Sequence, residues 1–269
     1  MKYGIRCSKK GKTQIYKCKD CDRRFTPNEG FLYTKYTKEI VTLSLDLYFK
    51  GLSLRKIQHH LKQFYNVSIH HTTILYWIKK YSLLINSFLN TLKAQSSDSW
   101  GADETGLYFK RNLNWLWGII DNETKFLIAL QLTKFRFVPK DNVFIESKKA
   151  MKGNPQVIVT DGFRGYEGMA KENYPNSEHI ILKGVSDRGL NNTSERLWGN
   201  VKERYKVMRG FRSFKGGKII LDGWKSYYNF IRPHMSLNGK TPAETAGLNL
   251  KLENNKWLNL IQRSVRNVK

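Results

Sequence analysis

Apolar and polar positions follow two different rhythms along this chain, and the change falls near residue 95. Between residues 37 and 93 the apolar positions recur near the 3.6-residue helical period. Ile40, Val41, Leu43, Leu45, Leu47 and Tyr48 mark a first helix behind Thr37, whose hydroxyl suits an N-cap. Gly51-Leu52-Ser53 interrupts it, with Gly51 past the helix end and Ser53 as the next cap. Leu54, Ile57, Leu61 and Phe64 form a second stripe. Asn66-Val67-Ser68 reads as a turn, with Ser68 capping a third helix that carries Ile74, Leu75, Ile78, Tyr81 and Leu84. Two helices joined by a tight turn predict a helix-turn-helix over residues 36–94, the second helix entering a major groove. In that reading His70, His71, Thr72, Thr73 and Tyr76 face DNA, and Lys79 and Lys80 meet phosphates. A plain helical bundle is the alternative.

Past the polar linker Gln95–Ser99 the pattern turns to strands. Trp100–Phe109, Leu113–Asp121 and Lys125–Thr133 are β-rich runs parted by polar turns, which predicts an antiparallel meander. A helix is expected over Val138–Met151, then a buried strand over Gln156–Thr160 that ends at Asp161-Gly162. A helix around Tyr166–Asn173, a short strand over His179–Leu182, a polar loop over 184–192 and a long helix from about Thr193 complete the order. The fold class is therefore α/β: a mixed five-stranded sheet with helices, behind an α-helical segment. Residues 99–248 make up this main domain, and residues 249–269 read as a basic tail or a small interface helix built on Trp257, Leu258, Leu260 and Ile261.

Charge changes the picture. Lys and Arg number 47 against 22 Asp and Glu, a net charge of +25 spread along the whole chain. Such a surface calls for a polyanionic partner, and nucleic acid suits it best, through salt-sensitive phosphate neutralisation. No apolar run reaches a membrane-spanning length, and the N-terminus lacks a signal-peptide core, so a cytoplasmic, nucleoid-associated protein is expected. The three cysteines, Cys7, Cys18 and Cys21, all precede residue 22, which excludes a disulfide framework for the main body. Cys18-Lys-Asp-Cys21 between two short basic strands, closed by Phe25, is half of a zinc ribbon over residues 1–35. Tetrahedral zinc takes four ligands, so a truncated or degenerate ribbon is expected, with Zn2+ at Cys18 and Cys21 left in doubt.

Against that basic background three acids stand out: Asp103 near the start of the first strand, Asp161 after the fourth, and Glu195 at the opening of the last helix. Each has an ordinary explanation. Asp161-Gly162 is a common turn, Glu195 complements a helix dipole, and Asp103 has Glu104 beside it as a rival. Taken together, the order of elements predicts a ribonuclease H-like fold, whose fourth strand lies beside the first and joins Asp103 to Asp161 at one sheet edge. Glu195 would lean over that edge, giving three carboxylates for two Mg2+ ions about 3.5–4 Å apart.

With these residues in place, the chain resembles DDE-class insertion-sequence transposases of prokaryotes, the compact kind built as zinc ribbon, helix-turn-helix and ribonuclease H-like core. Asp103, Asp161 and Glu195 match the family triad, and Glu195 follows Asp161 by the 34 positions typical of it. Lys202, seven residues after Glu195, sits where the family carries a basic residue that touches DNA. The resemblance implies cleavage at element ends and strand transfer into target DNA. It also implies two Mg2+ ions, with Mn2+ able to replace them, double-stranded DNA partners (terminal inverted repeats and target) and a homodimer or larger assembly. The rival function is a catalytically silent, transposase-derived DNA-binding protein or repressor. His179, His234 and Trp198 are expected to serve packing.

Overall fold

The computed structural model describes residues 1–8, 11–26, 30–31, 34–136, 143–182 and 188–267. Strands β1 (Lys2–Ser8), β2 (Gly11–Lys17) and β3 (Arg24–Phe25) form a small antiparallel sheet in that order. Helices α1 (Lys38–Phe49), α2 (Leu54–Tyr65) and α3 (His71–Leu89) follow. Thr37 and Ser53 are the expected caps, their hydroxyls accepting from the N–H groups of Ile40 and Lys56. Gly51 takes φ +109° just past α1. The expected cap of α3 shifts: His70, not Ser68, is its N-cap and makes no side-chain capping bond. Asn66 ends α2 in the left-handed conformation. Ile69 is buried, so the chain stays extended to seat that side chain before the helix can start.

The second rhythm becomes the main sheet. After β4 (Ala94–Gln95) come β5 (Ser99–Phe109), β6 (Asn112–Asp121) and β7 (Leu127–Thr133), then α4 (Val143–Ala150) and β8 (Met151–Lys152). Next are β9 (Val157–Thr160), α5 (Gly165–Asn173), β10 (Glu178–Ile181) and α6 (Arg188–Val207). The sheet order is β7-β6-β5-β9-β10. β5, β6 and β7 pair antiparallel, while β5-β9 and β9-β10 are parallel. The fourth strand of the sheet thus lies beside the first, the ribonuclease H-like arrangement. Strand β9 is a continuous buried run between two neighbours, as a parallel central strand should be.

One expected boundary moved. The part of the helix expected at 138–142 and the part of the polar loop expected at 184–187 lie outside the described residues. Residues 188–192, read as loop, are helical, so α6 starts five residues before Thr193. Asn192, Thr193 and Ser194 favour caps, yet Ser194 is buried and Thr193 accepts a bond from Lys125 Nζ at 3.1 Å. Tertiary packing overrides the local preference there.

Helices α7 (Phe214–Phe230), α8 (Pro242–Thr245) and α9 (Lys256–Asn267) close the chain. The expected basic tail therefore contains a helix, whose Trp257, Leu260 and Ile261 are buried. The Trp257 ring stacks at 5.4 Å on Phe49 and 6.5 Å on Tyr227, and its indole N–H donates to Asp46. One aromatic stack thereby joins α1, α7 and α9. Helix α6 reaches the same region from the other side through Arg204, which donates to the carbonyls of Tyr48 and Leu52. Among the described residues no helix is long and apolar enough to cross a membrane.

His234 lies edge-on to Tyr228 with ring centroids 4.8 Å apart. Burial, then Arg232 and Lys125, push its pKa down to about 4. Above pH 6.5 the ring is neutral in folded and unfolded chains alike. Between pH 6.5 and 4 only the unfolded chain takes up the proton, so stability falls as the pH is lowered through that window. The gap in melting temperature between pH 7 and pH 5 should accordingly be smaller for His234→Gln than for the wild type.

Candidate active site

Strand register brings the first two acids together. Ala102 of β5 pairs with Thr160 of β9, the last paired position on each, and Asp103 and Asp161 come next in their chains. Parallel pairing sets them side by side. Oxygens of Asp103, Glu104 and Asp161 all lie within 4.8 Å of one another. Glu195 is outside that trio: it is exposed on α6, between buried Ser194 and buried Leu197.

The two neighbouring acids on β5 point to opposite faces of the sheet, as strand alternation requires. Glu104 faces α5. Its Oε2 accepts from the Tyr166 hydroxyl at 2.7 Å, and its Oε1 accepts from Arg136 Nη2 and Nε at 2.6 and 2.9 Å. Arg136 is sandwiched between the Trp115 and Phe163 rings, 4.7 Å from each centroid. With a side chain only 2% exposed, Glu104 is tied at both oxygens. Asp103 faces α6. Its Oδ1 accepts from the Glu104 N–H at 2.8 Å and its Oδ2 from the Trp198 indole N–H at 3.0 Å. One lone pair on each oxygen stays available. Asp161 Oδ1 accepts from the Phe163 N–H at 3.0 Å, the turn bond of an Asx residue.

Burial raises the Asp103 pKa to about 6, and the charges of Asp161 and Glu104 push the same way, against the two hydrogen bonds it accepts. A cation between Asp103 and Asp161 would offset that repulsion. The donors are all hard oxygens, with no thiol or imidazole among them, which fits Mg2+ or Mn2+ and does not fit Zn2+. The N-terminal sheet gives zinc less. Cys18 and Cys21 flank a turn closed by Cys18 N–H to Arg23 O at 2.9 Å, and N–H groups of Cys21 and Asp20 lower the Cys18 thiol. Cys7 pairs with Lys12 near the opposite end of the hairpin. Among the described residues these are two thiols of a four-ligand set.

The remaining sequence-predicted residues are dispersed as follows. Lys202 is exposed on α6. On α3, Thr72 and Tyr76 are exposed, while His71, Thr73 and Lys79 are half-buried. His179 hydrogen-bonds Thr160 Oγ1 at 2.8 Å, a packing role next to Asp161. Sequence reasoning missed the Glu104–Arg136–Tyr166 cluster, for which no local signal exists. It also gave Trp198 only a packing role, although the spacing of three from Glu195 put that ring on the same side of α6.

A family model described as a DDE domain matches residues 97–234. The transposase for the insertion sequence-like element IS431mec of Staphylococcus aureus is 27% identical over 132 residues, covering 49% of this chain and 58% of that protein. An uncharacterised protein of Methanocaldococcus jannaschii is 27% identical over 198 residues, 72% of this chain and 87% of that protein. The HTLV-2 integrase catalytic core domain, solved in complex with magnesium, aligns with a TM-score of 0.38 at 13% identity, over 56% of this chain and 97% of that one. The chain spans 58% of the length of the staphylococcal relative.

Proposed function

The chain belongs to the DDE domain family of insertion-sequence transposases, and from that premise we propose that it is a DNA transposase. It would cleave DNA at element ends and join the freed 3′-hydroxyl to target DNA by metal-dependent phosphoryl transfer. The observation that carries this reading is the register of β5 and β9, which sets Asp103 beside Asp161 on the sheet that α6, bearing Glu195, covers.

A divalent cation held by Asp103, Asp161 and Glu195 would activate water or a 3′-hydroxyl and neutralise the leaving 3′-oxygen. The chain's own contribution is positioning. The Trp198 and Glu104 N–H groups fix Asp103, and the Phe163 N–H fixes Asp161. Lys202, two helical turns beyond Glu195 on the same side of α6, is exposed to meet a phosphate. The net charge of +25 draws DNA to the surface. Helix α3 would read element ends in the major groove with His71, Thr72, Thr73 and Tyr76, and Lys79 would anchor on phosphate. Two ends must be handled together, so a homodimer or larger assembly acts, in the cytoplasm where the DNA is.

A mating-out assay tests this reading, with the gene's own flanking DNA bracketing a marker. The wild type should move the marker and Glu195→Gln should not. Equal transfer by both would remove Glu195 from the site. No transfer by either, with DNA binding retained, would make the protein a silent DNA-binding relative.

A further inference from the structure

Side chains of helix α6 pack directly on two glycines of the sheet. Gly101 and Asp103 share a face of β5, and Gly118 of β6 is the cross-strand partner of Asp103. A Cβ on Gly101 would sit 2.8 Å from Ser194 Oγ, and one on Gly118 would sit 2.7 Å from Trp198 Cη2. A side chain at Gly101 would displace the Ser194 hydroxyl, and one at Gly118 would push against the rigid, buried Trp198 ring, so the second glycine is the stricter requirement. The Trp198 ring lies on the bare backbone of Gly118. From there its indole N–H reaches the Asp103 carboxylate at 3.0 Å. The ring is buried and the bond is to a group poised for a cation.

We propose that Trp198 is a positioning residue of the active site: its indole N–H fixes the Asp103 carboxylate and, through the seat on Gly118, sets the height of the Glu195 helix above it. An aromatic of equal bulk could fill the space above Gly118 without that N–H. A donor to the second lone pair of a metal-binding carboxylate orients it, and losing such a partner weakens metal binding about 10–100-fold. Trp is unusual in this role because it donates without accepting. It cannot compete for the cation, nor can its own protonation change with pH. The chain order Glu195, then Trp198 three residues on, places ligand and clamp on one side of the helix.

The inference rests on the reading of Asp103 as a metal ligand, so the experiment separates the two. Mn2+ binding to the full chain is measured by isothermal titration for the wild type, Trp198→Phe, Gly118→Ala and Asp103→Asn, with melting temperatures alongside. Trp198→Phe should weaken binding roughly 10–100-fold with the melting temperature shifted by only a few degrees. Gly118→Ala, which lifts the ring from the other side, should weaken it in the same direction. Asp103→Asn should remove it. Unchanged Mn2+ affinity in Trp198→Phe, with binding lost in Asp103→Asn, overturns the positioning role and leaves the site standing. Wild-type affinity in Asp103→Asn overturns both. Should Trp198→Phe not fold, Gly118→Ala decides: weakened binding supports the role, and wild-type binding overturns it.

Discussion

Asp103→Asn and Asp161→Asn should each lower DNA cleavage by about a thousandfold or more while leaving duplex binding near the wild-type level. Removing a ligand from a charge-stabilising metal site costs several kcal/mol in the transition state, and each 1.36 kcal/mol is about a factor of ten. The contrast that gives the experiment its force is Glu104→Gln. Glu104 belongs to the same cluster of acids, but its oxygens are already held by Arg136 and Tyr166 on the opposite face of the sheet. Breaking a buried ion pair is costly, but the Arg136 side chain is 43% exposed, which reduces the loss to about 1–2 kcal/mol. Glu104→Gln should therefore lower the melting temperature by a few degrees and cleavage by about tenfold or less. Cleavage by purified protein on a duplex carrying the gene's flanking DNA, with a gel-shift assay on the same duplex, measures both quantities. Should Glu104→Gln be as inactive as Asp103→Asn, the metal site would be built on both neighbours and the division of the strand's two faces would be wrong.

That division shows where the sequence stopped being readable. The runs Trp100–Phe109 and Gln156–Thr160 announce their strands through composition and period. An acid directly after a buried strand can be placed at its end without any knowledge of the fold. Choosing between Asp103 and Glu104 is different. Alternation says that they face opposite ways, but not which face receives α6 and which receives α5. That depends on Gly101 and Gly118, whose meaning appears only when the helix is laid on them. Arg136 lies 32 positions from Glu104 and Tyr166 lies 62, so no local pattern connects them. The start of α6 was misplaced for a related reason. Asn192, Thr193 and Ser194 carry a strong cap signal, and a buried seat for Ser194 outweighs it. The basic C-terminal segment left a tail and a small helix open, because its charges are numerous and its apolar face is narrow; Trp257, Leu260 and Ile261 of that face are buried within the chain.

The same limit applies to Arg204, the residue with the largest expected effect on stability. It lies nine positions after Glu195, about half a turn around α6 from it, so one helix faces the acids on one side and the helical segment on the other. Its Nη1 donates to Tyr48 O at 2.6 Å and Leu52 O at 2.9 Å, carbonyls at and just past the end of α1. Its guanidinium carbon stands 3.6 Å over the Tyr48 ring. Burial pulls the Arg204 pKa down, with Tyr48 opposing the shift. The charge is thus held by dipoles and a π-face rather than by a carboxylate. That arrangement offsets the helix-end dipole and depends on a planar cation laid flat over the Tyr48 ring, which Lys lacks. Arg204→Ala would remove the bonds to Tyr48 O, which keeps the Gly51 N–H at 3.1 Å, and to Leu52 O, and would also remove the cation–π contact and open a cavity. The expected loss is about 2–4 kcal/mol, or a fall in melting temperature on the order of 10 °C. Arg204→Lys should recover little of it. Because α1 is also held by the Trp257 stack, the chain should remain folded at low temperature but with the helical segment less firmly fixed to α6. Cleavage should then fall together with end binding, unlike the separation expected for Asp103→Asn. Thermal melts and gel shifts of the two variants decide the point. Wild-type melting in Arg204→Ala would mean that the desolvation of the guanidinium cancels its contacts, leaving the aromatic stack to hold α1 against the core.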